Sequence, residues 1–301
     1  MSVSRVAIIG LGLLGGSVGL AIRERLPECE TTGFDCDPLV RERARERGLV
    51  ESVCETAQDA VRDAELVILC VPVGAMAAAA ADLAPALADG AIVSDVGSSK
   101  KTVGETLRAV LPQAIVIPAH PVAGTERSGP DAGFASLFHN RWCILTPDQD
   151  VPEEAIGRLS DFWTALGAKV EIMDAAHHDL VLAVTSHIPH LIAFTIVGTA
   201  SDLEEVTRSE VIKYSAGGFR DFTRIAASDP TMWRDVFLSN RDAVLETLGR
   251  FSEDLTAMQR AVRSGDGETL FRLFERTRAI RRSIVEQGQD DARPDFGRAD
   301  H

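Results

Sequence analysis

Four short polar clusters interrupt apolar surroundings in this 301-residue chain. Asp95-Val96-Gly97-Ser98-Ser99-Lys100 and His120-Pro121-Val122-Ala123-Gly124-Thr125-Glu126 each close an apolar run. Ser186-His187-Ile188-Pro189-His190 lies inside a long apolar stretch, and Gly217-Gly218-Phe219-Arg220-Asp221-Phe222-Thr223-Arg224 begins with two glycines and reads as a loop between helices. Oxidising a hydroxyl to a carbonyl needs a base, a hydride acceptor and a clamp for the substrate. Histidine is the natural base near neutral pH, which makes His120 the candidate. Ser98 is placed to orient the hydroxyl or the imidazole, and Arg224 to grip a carboxylate with two parallel hydrogen bonds. Taken singly, a histidine before proline is commonly a turn residue and an arginine a solvated one; the case rests on their company. Pro189 has no N–H, so the Thr185 carbonyl loses its helical partner and a kink is expected that aims Ser186 and His190 into a cleft. A zinc site is not expected. His187 and His190 are three apart with a proline between them and lack the glutamate of a zinc-binding helix, even with His177 or His178 nearby.

The hydride acceptor has its own signal. Gly10-Leu11-Gly12-Leu13-Leu14-Gly15 is a G-x-G-x-x-G turn directly after an apolar strand and at the start of a helical segment, the context that gives the motif meaning. Gly10 permits the tight turn, Gly12 lets a pyrophosphate approach the backbone, and Gly15 lets helix and strand pack closely. The next strand ends at Asp35, 20 residues after Gly15, where a carboxylate can accept from ribose hydroxyls and repels a 2′-phosphate. Asp37 adds to that repulsion and no basic residue comes before Arg41, so NAD is expected over NADP. Val71-Pro72 ends a further strand as a floor beside the nicotinamide ribose.

The elements that must hold these groups alternate through the first half. Strands are expected over 6–10, 31–35, 66–71, 92–96, 115–119, 142–146 and 169–173, and helices over 38–47, 73–87, 101–111 and 153–166. Gly48 and Gly167 sit at helix C-termini. Such alternation builds a doubly wound parallel sheet, whose ligands bind at the carboxyl ends of the strands. Both the Asp95 and the His120 clusters lie at such ends. After about Asp174 the strand signals stop. Residues 177–199, 202–216, 230–263 and 268–287 read helical, with Asp229 as an N-cap before Pro230. The expected organisation is α/β: a Rossmann-type domain over 1–174, an all-helical domain over 175–287, and a frayed polar tail over 288–301.

Composition narrows the partners. The net charge of −14 argues against nucleic acid, which needs clustered Lys and Arg. Five cysteines without a CxxC pair read as free thiols in a reducing compartment. The apolar run 6–22 contains five glycines and is short for a membrane span or signal peptide, so it reads as strand, turn and helix start, and a cytoplasmic location is expected.

Together, G-L-G-L-L-G-G-S at 10–17, D-V-G-S-S-K at 95–100, H-P-V-A-G-T-E at 120–126, S-H-I-P-H at 186–190, G-G-F-R-D-F-T-R at 217–224 and D-P-T-M-W-R-D at 229–235 resemble the prephenate/arogenate dehydrogenase family of tyrosine biosynthesis. The segments fall in family order across about residues 5–285. The resemblance implies oxidative decarboxylation of prephenate to 4-hydroxyphenylpyruvate, or of arogenate to tyrosine, with hydride passing to NAD as the ring carboxylate leaves. It implies His120 as acceptor of the ring-hydroxyl proton with Ser98 beside it, and Ser186, His190 and Arg224 as substrate-binding positions. Thr125, Glu126, Gly217 and Asp221 would surround the pocket mouth, and Trp233 would approach the partner subunit's site. The helical half would form a homodimer. No chorismate mutase segment is read before residue 5 and no ACT-type regulatory domain after 287, so feedback by tyrosine is expected at the active site. Two other readings stand against this one. One is a β-hydroxy acid or imine dehydrogenase, with Lys213 as its catalytic lysine. The other is an NAD(H)-binding redox sensor without turnover, which leaves His120, Ser98 and Arg224 unexplained.

Overall fold

The computed structural model describes residues 3–125, 127–202 and 217–286. The expectations for Glu126, for Lys213, for most of 202–216 and for the tail from 288 lie outside them.

Six strands, β1 (Arg5–Ile9), β2 (Glu30–Phe34), β3 (Ser52–Val53), β4 (Leu66–Leu69), β5 (Ile92–Asp95) and β6 (Ile115–Val116), form one parallel sheet in the order β3-β2-β1-β4-β5-β6. The order reverses beside β1, which is the topological switch point of a doubly wound sheet. Alternate residues of each strand feed opposite faces. Val6, Ile8, Leu66 and Ile68 enter one apolar cluster, and Ala7, Ile9, Val67 and Leu69 the other. Strands buried on both sides explain the unbroken apolar runs in the sequence. The helices around the sheet are α1 (Leu13–Arg25), α2 (Pro38–Arg47), α3 (Ala57–Val61), α4 (Met76–Leu83), α5 (Lys101–Val110) and α6 (Glu153–Ala165). Asp37 caps α2 by accepting from the Leu39 N–H, and Gly48 closes it in the left-handed conformation at φ 57°.

The expected single sheet is corrected in one respect. Strand 115–119 divides: β6 ends at Val116, and Ala119–Pro121 forms β7 of a second, three-stranded sheet with β8 (Trp142–Leu145) and β9 (Lys169–Ile172). β7 runs antiparallel to β8, and β9 parallel to it. Pro118 supplies no N–H at the division. Beyond it, the Ala119 backbone is held by a fully buried ion pair: Asp95 Oδ1 accepts its N–H at 3.3 Å and Lys100 Nζ donates to its carbonyl at 2.6 Å. β3 and α3 were not expected, being too short to show a period.

The continuous helical run Ala175–Asp202 is long and apolar enough, by length and composition, to cross a membrane. Its polar side chains His178, Asp179 and His187 are nevertheless buried. It comprises α7 (Ala175–Leu182), a π-helical turn Ala183–His187, and α8 (Ile188–Asp202). The break expected at Pro189 is thus a π-turn just before it, where the ladder absorbs the missing N–H by widening. The segment expected as a loop at 217–224 is helix α9 (Gly217–Thr223) followed by a 3₁₀ turn Arg224–Ala227. The expected helix 230–263 is two, α10 (Pro230–Ser239) and α11 (Arg241–Ser264), divided at Asn240. α12 (Gly267–Glu286) follows. By compactness the chain divides after Leu245. Every site residue discussed below lies before that point. Beyond it, Leu255, Val262, Phe271, Phe274 and Ile280 of α11 and α12 expose large apolar surface.

Candidate active site

The glycine turn has the shape a dinucleotide needs. Gly10 adopts φ 96°, and a Cβ there would lie 2.6 Å from the Cys70 carbonyl oxygen. A Cβ on Gly15 would meet the Gly10 carbonyl oxygen at 1.8 Å, so only glycine lets α1 sit against the turn. A Cβ on Gly12 would meet nothing within 4 Å, which leaves the approach for a pyrophosphate open. The first turn of α1, with Leu13, Leu14 and Gly15, carries no acidic side chain and no side-chain cap, and its N–H groups and dipole suit an anion. Asp35 Oδ2 accepts from the Leu11 N–H at 2.8 Å and Oδ1 from the Asp37 N–H at 3.0 Å. The carboxylate therefore braces the turn and retains lone pairs for ribose hydroxyls. Arg41 is turned back: it donates to the Asp35 carbonyl at 2.8 Å and pairs with Glu55 at 3.1 Å. Val71 is half-buried and Pro72 exposed just beyond the end of β4. These residues fit NAD.

His120 sits on β7, where the buried Asp95–Lys100 pair fixes the preceding residue. It is itself buried, at 8% exposure. Its Nδ1 lies 2.9 Å from His178 Nε2, and His178 Nδ1 lies 2.9 Å from Asp179 Oδ1. Asp179 Oδ1 also accepts from the Lys100 N–H at 2.7 Å, and Oδ2 from the Lys101 N–H at 3.0 Å. Asn240 Nδ2 donates to the Asp179 carbonyl at 2.7 Å and lies 3.1 Å from His187 Nδ1. Trp233 stacks on His190 with centroids 3.7 Å apart and meets His187 edge-on at 6.0 Å. His190 Nδ1 donates to the Ser186 carbonyl at 2.8 Å, and Arg224 is near enough to depress the His190 pKa. Contacts thus run without a gap from His120 to His190, with Arg224 within electrostatic range of the latter.

Burial governs the charge of this wall. It pushes His120 well below the ordinary imidazole value, and the neighbouring His178, Lys100 and His187 push the same way. His178 and His190 are lowered chiefly by burial too, and His187 is brought down to about 4. Burial raises Asp179, but the hydrogen bonds from His178, Lys100 and Lys101 outweigh it and hold the carboxyl below its usual value. The result at neutral pH is a row of neutral imidazoles ending on a carboxylate.

The remaining expected residues fall nearby or beyond this row. Ser98 is half-buried between β5 and α5, and its backbone is near enough to the His187 ring to oppose the fall in its pKa. Thr125 is exposed and its hydroxyl accepts from the Arg127 N–H at 3.2 Å. Gly217 and Asp221 are exposed one turn apart on α9. Trp233, which the resemblance directs to a partner's site, packs here against histidines of its own chain, and its buried Nε1 has no hydrogen-bond partner among the described residues. Sequence reasoning passed over Asp179 and Asn240 as functional groups and weighed His178 only as a neighbour of a possible zinc pair. The adjacent His-Asp pair was a usable signal, but its link to His120 is purely tertiary.

A parallel sheet with a glycine turn at its switch point and a buried histidine at a strand end defines a Rossmann-type, dinucleotide-dependent oxidoreductase. Comparison with known proteins carries this further. The family model for the prephenate dehydrogenase nucleotide-binding domain matches residues 18–172, and that for the prephenate dehydrogenase dimerization domain matches residues 174–276. The chain is 45% identical over 289 residues to a cyclohexadienyl dehydrogenase of Zymomonas mobilis, covering 96% of this chain and 98% of that one. It is 33% identical over 278 residues to a prephenate dehydrogenase of Bacillus subtilis, covering 92% and 75%. Among solved structures it superposes on prephenate dehydrogenase from A. aeolicus in complex with hydroxyphenyl propionate and NAD+, with a TM-score of 0.88, 30% identity and coverage of 94% and 99%. The chain belongs to the prephenate dehydrogenase family.

Proposed function

We propose that the chain catalyses the NAD-dependent oxidative decarboxylation of prephenate to 4-hydroxyphenylpyruvate, in tyrosine biosynthesis. The observation that carries this is the buried, neutral His120, whose Nδ1 is engaged by His178; its Nε2 is then the nitrogen left to take a proton from a ring hydroxyl. The Gly10–Gly15 turn and Asp35 would hold NAD, which when bound would supply the hydride acceptor. As hydroxyl proton and hydride leave, the ring carbon moves toward a carbonyl, electrons of the ring–carboxylate bond enter the ring, CO₂ departs and the ring becomes aromatic. Ser98 orients the hydroxyl. Arg224 clamps a carboxylate, with Ser186 and His190 on the same wall and Trp233 packed behind His190. Thr125, Gly217 and Asp221 border the mouth, and the family resemblance adds Glu126 to that set. The relative named cyclohexadienyl dehydrogenase favours a second reading in which arogenate is also oxidised, giving tyrosine directly.

We also propose a cytoplasmic homodimer. The match of 174–276 to a dimerization domain and the exposed Leu255, Val262, Phe271, Phe274 and Ile280 support the dimer. The test is a steady-state assay of the purified protein with both substrates and both nicotinamide cofactors, and sedimentation of the same preparation. NADH formation with prephenate is expected, with NADP turned over far more slowly and a sedimenting mass twice that of one chain. Absence of turnover with either ring substrate overturns the reaction, and a monomer overturns the assembly.

A further inference from the structure

Resting on the reading of His120 as the base, we infer that His178 and Asp179 form a positioning relay that holds His120 with its proton on Nδ1 and its Nε2 bare toward the substrate. The direction of every hydrogen bond along the row follows from its anionic end. Asp179 receives two backbone N–H donors, from Lys100 and Lys101, and its Oδ1 lies 2.9 Å from His178 Nδ1. An ionised carboxylate can only accept. His178 Nδ1 must therefore carry a proton, since a bare nitrogen 2.9 Å from a carboxylate oxygen would set two lone pairs against each other between two buried side chains. Burial keeps His178 neutral, so its single proton is on Nδ1 and its Nε2 is an acceptor. His120 Nδ1, 2.9 Å from that acceptor, is then the donor. One tautomer of His120 satisfies all these contacts, and it is the tautomer a general base requires.

The relay is built to be stiff. His178 is fully buried, and the Asp179 carbonyl is pinned by Asn240 at 2.7 Å. Because Asp179 also holds the Lys100 and Lys101 N–H groups, the start of α5, which follows the Ser98 loop, is referenced to the same carboxylate as the base. When His120 takes a proton, its Nδ1–H becomes a charge-assisted donor to an imidazole already polarised by Asp179, so positive charge formed in the turnover has a place to spread. The logic is that of a base oriented by a third group, with one imidazole interposed between base and carboxylate.

The test combines ¹⁵N NMR of histidine-labelled enzyme at pH 7.5 with kinetics of His178→Leu and His178→Gln. In the parent enzyme the His120 resonances, assigned by their loss in His120→Asn, are expected to show a protonated Nδ1 and a bare Nε2. His178→Leu removes the acceptor. Its kcat is expected to fall about 10²-fold while KM for the ring substrate and NAD affinity stay within about 3-fold. His178→Gln keeps an amide oxygen that accepts from Nδ1–H and is expected to restore the tautomer and part of kcat. A parent enzyme with its proton on Nε2 overturns the relay, as does a His178→Leu enzyme with unchanged turnover and tautomer. If His178→Leu does not fold, the parent spectrum and His178→Gln decide the matter. The tautomer measurement needs no turnover, so its failure is distinguishable from failure of the proposed reaction.

Discussion

The role proposed for His120 asks its imidazole to be a base and still survive burial, and the two demands conflict. Removing it from water favours the neutral form, which keeps Nε2 available far below the usual imidazole range but makes it a weaker base. A buried base of this kind needs a partner that stabilises its protonated form only when that form arises, which is what a carboxylate-backed His178 supplies. Two consequences can be measured. His120→Asn is expected to lower kcat by about 10²–10⁴-fold with NAD affinity unchanged; near-normal turnover removes His120 from the reaction. In the parent enzyme the lowered pKa means that kcat/KM holds its plateau down through pH 6.5, the ordinary histidine value, and declines only at more acidic pH. A midpoint at or above that value contradicts the burial argument. At the same scale, the proposed preference for NAD over NADP rests on Asp35 bracing the turn and on Arg41 being tied to Glu55 and the Asp35 carbonyl, turned back toward its own strand.

Between the sheet's elements, the Asp95–Lys100 pair does more than neutralise itself. Both side chains are fully buried, and between them they take up the Ala119 N–H and carbonyl where the chain leaves one sheet for the other. Lys100→Met strands a buried carboxylate, so a loss of about 3–5 kcal/mol is expected; adding Asp95→Asn should recover part of it, because the amide oxygen still accepts from one N–H. Urea unfolding of the two variants checks this, and a single variant as stable as the parent refutes the stapling role. The pair also shows where sequence reading stops. Gly10, Gly12, Gly15 and Asp35 were legible because the dinucleotide turn is a local structure: Gly10 and Gly15 are required by contacts within a few residues or across one strand, and Gly12 faces open space. Within the six-stranded sheet, β1, β4, β5 and β6 followed from apolar runs while β3 did not show, and α2 followed from Pro38 and Gly48. By contrast, nothing near 115–119 except Pro118 announced the change of sheet, since its cause is a lysine 19 residues earlier. His178 is 58 residues from His120 and sits in an apolar run where its neighbours suggested only a helix start. The helix at 217–223 was masked by its two glycines, which read locally as a loop and are outweighed by packing on α8.

Across the whole first unit, the four imidazoles of the site impose a pH signature on stability. His187 shows it most plainly. Burial lowers it to about 4, against the pull of Asp179 and the Ser98 backbone, from an ordinary value of 6.5. Between those two values the unfolded chain holds a proton that the folded chain refuses, so unfolding takes up protons and stability rises with pH. Stability is therefore full above about pH 6.5 and is lost progressively as the pH falls toward 4, by about 1.4 kcal/mol per pH unit for each such histidine. His120, His178 and His190 are shifted in the same direction and steepen the slope. Asp179 acts in a different window: its lowered pKa adds stability that is present above its ordinary 3.8 and is lost only below it. The urea midpoint at pH 5 is accordingly expected to lie well below that at pH 7.5. His187→Gln should be less stable at pH 7.5, because Asn240 loses its ring partner, yet show a shallower decline on acidification. A midpoint that does not move between pH 7.5 and pH 5 means that the imidazoles are hydrated in solution, and with that the neutral wall on which the chemistry of His120 depends is gone.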